Sequence, residues 1–264
     1  GAHVKMVFEV DDLSQASPAT VSRCGMIYFD TSVLQWTTLA DSWMLKHKDI
    51  NQPLLQNLRD VMTKFVPRCV TFVDVDAKVA LCKNPMFSVS NFLRILECFF
   101  SILREPVKTT SMDGDDFKLT DPLRHSDYIS PFSSTSTNTF GYFKDEKLIE
   151  VFYNLLVFSL IWSFGASILE ESRDLFNHFF RDLIQQSGLT VNIPTGGTVY
   201  DFFYDISREE WMPWCSPGFG LNLTSSKPIE QILIPTNNAA SILYLNRLFV
   251  THGKHFLVHG PESS

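Results

Sequence analysis

The sequence has no C-x-x-C pair. Its five cysteines, Cys24, Cys69, Cys82, Cys98 and Cys215, are odd in number and far apart. That spacing excludes a zinc cluster and a disulfide framework, and leaves reduced core thiols in a cytosolic protein. H-E-x-x-H, G-x-S-x-G and Cys/His nucleophile patterns are also missing, and the seven His are dispersed. No enzyme chemistry of its own is therefore expected, and no metal site. Basic residues are in deficit. The net charge of −7 argues against nucleic acid as a main partner, because phosphate backbones need a basic face. No signal peptide is visible, and the chain opens on Gly1-Ala2-His3 without an initiator Met, so both ends read as cuts in a longer protein.

Apolar material is abundant. A hydrophobic share of 45% with 23 Phe describes a well-buried globular protein, and 264 residues suffice for one large domain or two smaller ones. Residues 151–169 (VFYNLLVFSLIWSFGASIL) are long enough to cross a bilayer. However, Asn154, Ser159 and Ser163 interrupt them, and Glu150, Glu170 and Glu171 flank them without a basic cluster. A helix buried on most faces explains the segment as well, and membrane contact is not expected.

Along the chain the character changes twice. Residues 4–10 read as a buried strand. Asp11–Arg23 reads as a turn and short helix with Ser17 as N-cap and Pro18 at the first helical position, closed by Gly25, before an apolar strand Met26–Phe29. Helices follow. Leu54, Leu55, Leu58, Val61, Met62 and Phe65 form a helical stripe, and Ser90 is expected to cap a helix over Asn91–Leu103 that ends at Pro106. Residues 108–144 read as a long loop or insertion. Two helices, Glu146–Phe164 and Ile168–Gln186, meet near Gly165, and Gly188 stops the second. From Thr190 strand composition returns. Thr198–Asp205 is expected to be a strand, Trp211-Met212-Pro213-Trp214 a loop, Asn237–Thr251 a helix, and Lys254–His259 a strand.

That last strand runs into Gly260-Pro261-Glu262-Ser263-Ser264. An apolar strand entering Gly-Pro is the first half of G-x-x-x-x-G-K-[ST], whose backbone N–H groups and lysine cradle nucleotide phosphates. The same residues also suit an ordinary turn.

Phe8-Glu9-Val10-Asp11-Asp12-Leu13, followed by Ala16-Ser17-Pro18-Ala19-Thr20-Val21-Ser22-Arg23-Cys24-Gly25-Met26-Ile27-Tyr28, closely resembles dynein heavy chains at the end of the second AAA+ module. Leu160-Ile161-Trp162-Ser163-Phe164-Gly165, Gly197-Thr198-Val199-Tyr200-Asp201 with Trp211-Met212-Pro213-Trp214, and Ile232-Leu233-Ile234-Pro235-Thr236 fit the same family. The flanking pattern resembles axonemal more than cytoplasmic members.

The resemblance implies α/β parts around an all-helical lid, as partial AAA+ (P-loop NTPase) modules with a mainly helical middle. Residues 1–33 would end the second large subdomain, 34–190 form the lid with 108–144 inserted, and 191–264 link to and begin the third module. Arg23 would be an arginine finger serving the first module's ATP in trans, its fork stabilising charge on the γ-phosphate. Ile234, Pro235 and Thr236 would pack on the third module's adenine, Gly260 and Pro261 would open its phosphate loop, and Arg173 on the last lid helix would be a sensor of the second module's nucleotide.

The resemblance further implies ATP and Mg2+ as cofactors of the intact parent, with neither held tightly by this piece. Neighbouring AAA+ modules would be its partners. Microtubules and intermediate and light chains would be reached through other parts of the parent, in the cytoskeleton of an axoneme. The competing expectation is a helical scaffold or membrane-associated remnant without motor function.

Overall fold

The computed structural model describes residues 5–10, 12–28, 35–48, 50, 52–80, 83–104, 145–214 and 236–257. The chain divides into two units, Gly1–Gln35 and Trp36–Ser264.

In the first unit the regular element is α1 (Pro18–Val21), nucleated as its sequence dictates. The Ser17 side chain accepts from the Thr20 N–H at 3.2 Å, and Pro18 occupies the first turn, where no backbone donor is needed. The helix ends at Ser22 rather than at Gly25. Residues 5–10 and 26–28 are not strands. Their composition suits a sheet, but a strand exists only by pairing its N–H and C=O groups with a neighbour. Met6 and Phe8 stand 76% and 72% exposed.

The second unit is mainly helical: α2 (Trp36–Lys46), α3 (Gln52–Val75), α4 (Pro85–Arg104), α5 (Asp145–Leu160) and α6 (Glu170–Ser187), then a hairpin of β1 (Phe202–Asp205) and β2 (Glu210–Pro213), and α7 (Asn237–Thr251). The stripe expected on α3 is buried throughout and extends beyond Phe65 through Val66, Cys69, Phe72 and Val73. That continuing apolar face carries the helix past Pro67, whose missing N–H and ring cost an interior helix about 3 kcal/mol. α4 starts six residues earlier than expected. The Asn84 side chain accepts from the Met86 N–H at 2.9 Å, and Ser90 lies inside the helix instead of capping it.

α5 is apolar around its circumference, as a helix must be when others cover every side. It runs directly into a π-helical turn, Ile161–Gly165, all of it buried. Of the span Lys147–Gly165, 78% is buried, which accounts for its hydropathy without a bilayer. Phe72 stacks on Phe179 at 4.4 Å and meets Phe176 edge-on at 5.7 Å, joining α3 to α6. A second aromatic group, Phe158, Trp162, Phe203, Trp214 and Tyr244, ties α5 and its π-turn to the hairpin and α7. Gly188 ends α6 at φ 72°, a left-handed cap that glycine adopts without penalty.

The hairpin corrects two expectations. Thr198–Asp205 begins as a 3-10 turn (Val199–Asp201) before β1, and Trp211-Met212-Pro213 is strand, with Trp211 opposite Tyr204 and Met212 opposite Phe203. The Asp205 carboxylate shapes the connection by accepting from Ser207 N, Ser207 Oγ and Arg208 N. Residues 254–257 are not a strand either. Among the described residues, then, the fold is helical with one two-stranded antiparallel sheet, and the α/β parts expected at both ends do not form there.

Candidate functional site

Arg173, singled out from the sequence, reaches the start of α7, which Thr236, also singled out, caps. Thr236 is the N-cap, its hydroxyl accepting from the Ala239 N–H at 3.1 Å. The next two residues reach back to the helical body. Asn237 Nδ2 donates to Asp201 Oδ1 at 2.8 Å, and Asn238 Oδ1 accepts from Arg173 Nη1 at 3.3 Å.

Each partner is fixed in turn. Asp201 closes a capping box, its Oδ2 accepting from both the N–H and the hydroxyl of Thr198 at 2.8 Å. Burial pushes the Asp201 carboxyl up, but the donors Thr198 and Asn237 outweigh it and hold the group below its usual range. Arg173 donates from Nε to the Ile168 carbonyl at 3.5 Å, and its guanidinium lies 5.1 Å over the Tyr200 ring. The Tyr200 hydroxyl donates to the Gly165 carbonyl at 3.0 Å, inside the π-turn, and burial pushes this phenol well above its ordinary value. Gly165 is required there. A Cβ would stand 2.7 Å from the Tyr200 hydroxyl and 2.8 Å from Phe176 Cε1.

A strap from Val191 to Thr198 connects α6 to this junction. Arg181 holds it with three donations, to the carbonyls of Ile193 (3.2 Å), Pro194 (2.7 Å) and Gly197 (2.9 Å). The planar fork of arginine suits three divergent acceptors. Asn177 completes the anchor, its Oδ1 accepting from Arg181 Nε at 3.0 Å and Val199 N at 2.9 Å. Trp214 closes the far side, its Nε1 donating to the Tyr200 carbonyl at 2.8 Å.

Chemically this is a mechanical joint. Its side chains are occupied with one another, and no nucleophile–base pair is present in it. Among the described residues no three His, Cys, Asp or Glu gather as a metal site. A recess of about 540 Å³ lies between α2 and α3, with the 2.8 Å Arg59–Asp41 ion pair on its wall. None of the candidate finger, sensor or nucleotide-binding residues lines it.

Arg23 belongs to the first unit, in the turn after α1, exposed, its N–H donating to the Thr20 carbonyl at 3.3 Å. Its guanidinium makes no ion pair among the described residues. Ile234, Pro235, Gly260 and Pro261 lie outside the described residues. Sequence reasoning missed Asp201, Asn237, Asn238, Asn177 and Arg181 as members of the joint. The Thr198-x-x-Asp201 spacing was the available signal, since it is the capping-box pattern.

Residues 127–216 match the dynein heavy chain AAA lid domain family. Over 98% of its length the chain is similar to dynein axonemal heavy chain 1 of Homo sapiens, at 25% identity, covering 6% of that protein. It is 26% identical to dynein axonemal heavy chain 12 of Rattus norvegicus over 99% of this chain and 8% of the relative. With the dynein alpha chain, flagellar outer arm, of Chlamydomonas reinhardtii it shares 24% identity over 98% of this chain and 5% of the relative. The chain thus spans 5 to 8% of the length of these relatives.

Proposed function

We propose that the chain is a segment of a dynein heavy chain carrying its AAA lid, to which residues 127–216 are similar, and that it is the joint between two consecutive modules of an ATP-driven motor ring. In this assignment residues 1–33 end the second module's large subdomain, 34–190 form its lid, and 191–264 begin the third module. A lid rotates against its neighbour when nucleotide closes a site, and this segment passes that rotation on. The parent would bind ATP with Mg2+, act on microtubules through other regions, and work in an axoneme beside intermediate and light chains.

The observation that carries this proposal is the joint itself. Arg173 on the last lid helix hydrogen-bonds Asn238, and Asp201 hydrogen-bonds Asn237, so the helix that follows Ile234-Pro235-Thr236 is tied to the last lid helix through Arg173. With those three residues at the third module's adenine, movement of the lid displaces the floor of a nucleotide site. Arg173 reaches α7 rather than solvent, which favours a linking role over that of a sensor. Arg23 is assigned as the finger acting in trans on the first module. Its exposure and lack of an ion pair among the described residues suit a group that finds its partner on another module.

The test is made in the parent heavy chain. An Arg173→Ala/Asp201→Ala variant is expected to keep basal ATPase and lose microtubule stimulation several-fold, on the order of the coupling of 1–3 kcal/mol that links distant sites. Arg23→Ala is expected to remove the contribution of the first site, where such a finger is worth roughly 1,000- to 100,000-fold. Unchanged stimulation in the first variant would sink the joint, and unchanged turnover in the second would sink the finger.

A further inference from the structure

At the other end of α7 four ionisable side chains from three segments converge on one point. Lys46 ends α2 and His47 follows it, Glu97 lies on α4, and Lys254 stands three residues past α7. Lys254 Nζ is 3.0 Å from Glu97 Oε2, while His47 Nε2 and Lys46 Nζ lie 3.6 and 4.0 Å from Oε1. The three groups facing Glu97 are not equivalent. The Lys46 side chain is 73% exposed, whereas Lys254 is 27% and His47 is 7% exposed, so the last two meet the carboxylate where water screens least.

The surroundings fix both sides of this contact. The His47 ring stacks on Trp43 at 4.1 Å, and its Nδ1 lies 2.9 Å from the Trp43 carbonyl. A carbonyl only accepts, so Nδ1 carries the proton. Nε2 can then donate toward Glu97 only as the imidazolium. On the other side, Gly253 turns the chain at φ 60°, and the Lys254 N–H donates to the Phe249 carbonyl at 2.8 Å. Phe256 stacks on Phe249 at 6.0 Å. The chain therefore folds back on α7 while the Lys254 side chain reaches across to α4. Burial pushes the Glu97 carboxyl up, but Lys254, followed by Lys46 and His47, outweighs this and keeps it below its usual range.

We propose that Glu97 and Lys254 are positioning residues that set where the chain departs from α7 toward the phosphate loop assigned to Gly260-Pro261, with His47 as the buried support of Glu97. This rests on that assignment of the loop. Gly260 lies six positions past Lys254, a reach of at most about 20 Å. A displacement at Lys254 would be passed along these few residues toward the phosphates, with no contact between Glu97 and nucleotide needed.

The test uses the parent heavy chain with Mg-ATP as the probe, reading hydrogen exchange over residues 254–264 against nucleotide concentration. Four proteins are compared: wild type, Glu97→Gln, Lys254→Met and Lys254→Arg. In wild type, Mg-ATP is expected to slow exchange over 258–264. Glu97→Gln and Lys254→Met should need about 3- to 10-fold more nucleotide for the same protection, with exchange in α4 and α5 unchanged. Lys254→Arg should stay within about 2-fold of wild type, since it keeps a cation against Glu97.

If wild type gains no protection from Mg-ATP, the phosphate-loop assignment falls. If wild type is protected and Glu97→Gln and Lys254→Met respond at the same concentrations, the positioning role is overturned while the loop stands. If both weaken but α4 and α5 also loosen, or Lys254→Arg weakens as much as Lys254→Met, the effect is not that of the ion pair and the proposal fails.

Discussion

Gly165→Ala offers the sharpest check on the packing described above. The substitution adds one methyl group at the end of the π-turn, where its Cβ would lie 2.7 Å from the Tyr200 hydroxyl and 2.8 Å from Phe176 Cε1. Both neighbours are buried rings set by further contacts, so neither yields cheaply. Overpacking of this kind costs about 1–3 kcal/mol. Displacing the Tyr200 hydroxyl also weakens its hydrogen bond to the Gly165 carbonyl, for about 0.5–1.5 kcal/mol more, while that carbonyl keeps the Ile168 N–H at 3.2 Å. Alanine's helix propensity returns about 1 kcal/mol. The net expectation is a loss of about 0.5–3.5 kcal/mol, read from urea unfolding midpoints.

Tyr200→Phe alone should cost about 1–2 kcal/mol through the lost hydrogen bond. The double variant should cost less than the sum of the singles, because removing the hydroxyl also removes the nearest clash. A neutral or stabilising Gly165→Ala, or strict additivity with Tyr200→Phe, would refute the reasoning.

Two further outcomes follow from charge and backbone. The folded pKa of Asp201 lies below its ordinary 3.8, so its stabilising contribution is full above that value and is lost as pH falls through the folded value. The stability gap between wild type and Asp201→Asn, measured by urea midpoints, should therefore shrink between neutral pH and about pH 3; a gap independent of pH would contradict the Thr198 and Asn237 assignments. Pro67→Ala should stabilise α3 by about 1–2 kcal/mol, because it restores an N–H facing the Thr63 carbonyl and relieves the ring, less the unfolded-state entropy that proline removes. A lowered midpoint would mean that α3 depends on the ring.

What was legible in the sequence was set by the range of the forces involved. The α3 stripe, the α6 stop at Gly188 and the bounds of α7 are local, and periodicity or caps reveal them. Ser17 and Pro18 marked α1 for the same reason. The reach of α3 beyond Pro67 was hidden, because tertiary burial of Cys69, Phe72 and Val73 overrides a local breaker. Trp211-Met212-Pro213 looked like loop because its partner in the ladder, not its composition, makes it strand. The expected strands at residues 5–10 and 254–257 erred in the opposite sense, having composition without a partner. At the joint, Arg173 and Thr236 were visible as residues, but the reach of Arg173 to the helix that Thr236 caps was not. Asn237 and Asn238 gain their meaning only from Asp201 and Arg173, which lie 36 and 65 positions upstream of them.

The all-round apolar character of α5 also bears on how the protein is made. Its partners lie on both sides in sequence, with α3 and α4 before it and the hairpin and α7 after it. Phe158 meets Tyr244 on α7 at 5.8 Å. When residue 165 has been synthesised, the faces destined for the hairpin and α7 have nothing to cover them. Close to 90 further residues must be added before α7 is complete, about 5–20 s at ribosomal speed. During that interval a strip as greasy as a membrane span stands open to water, which makes this helix the natural target of hydrophobic-binding chaperones on the nascent chain.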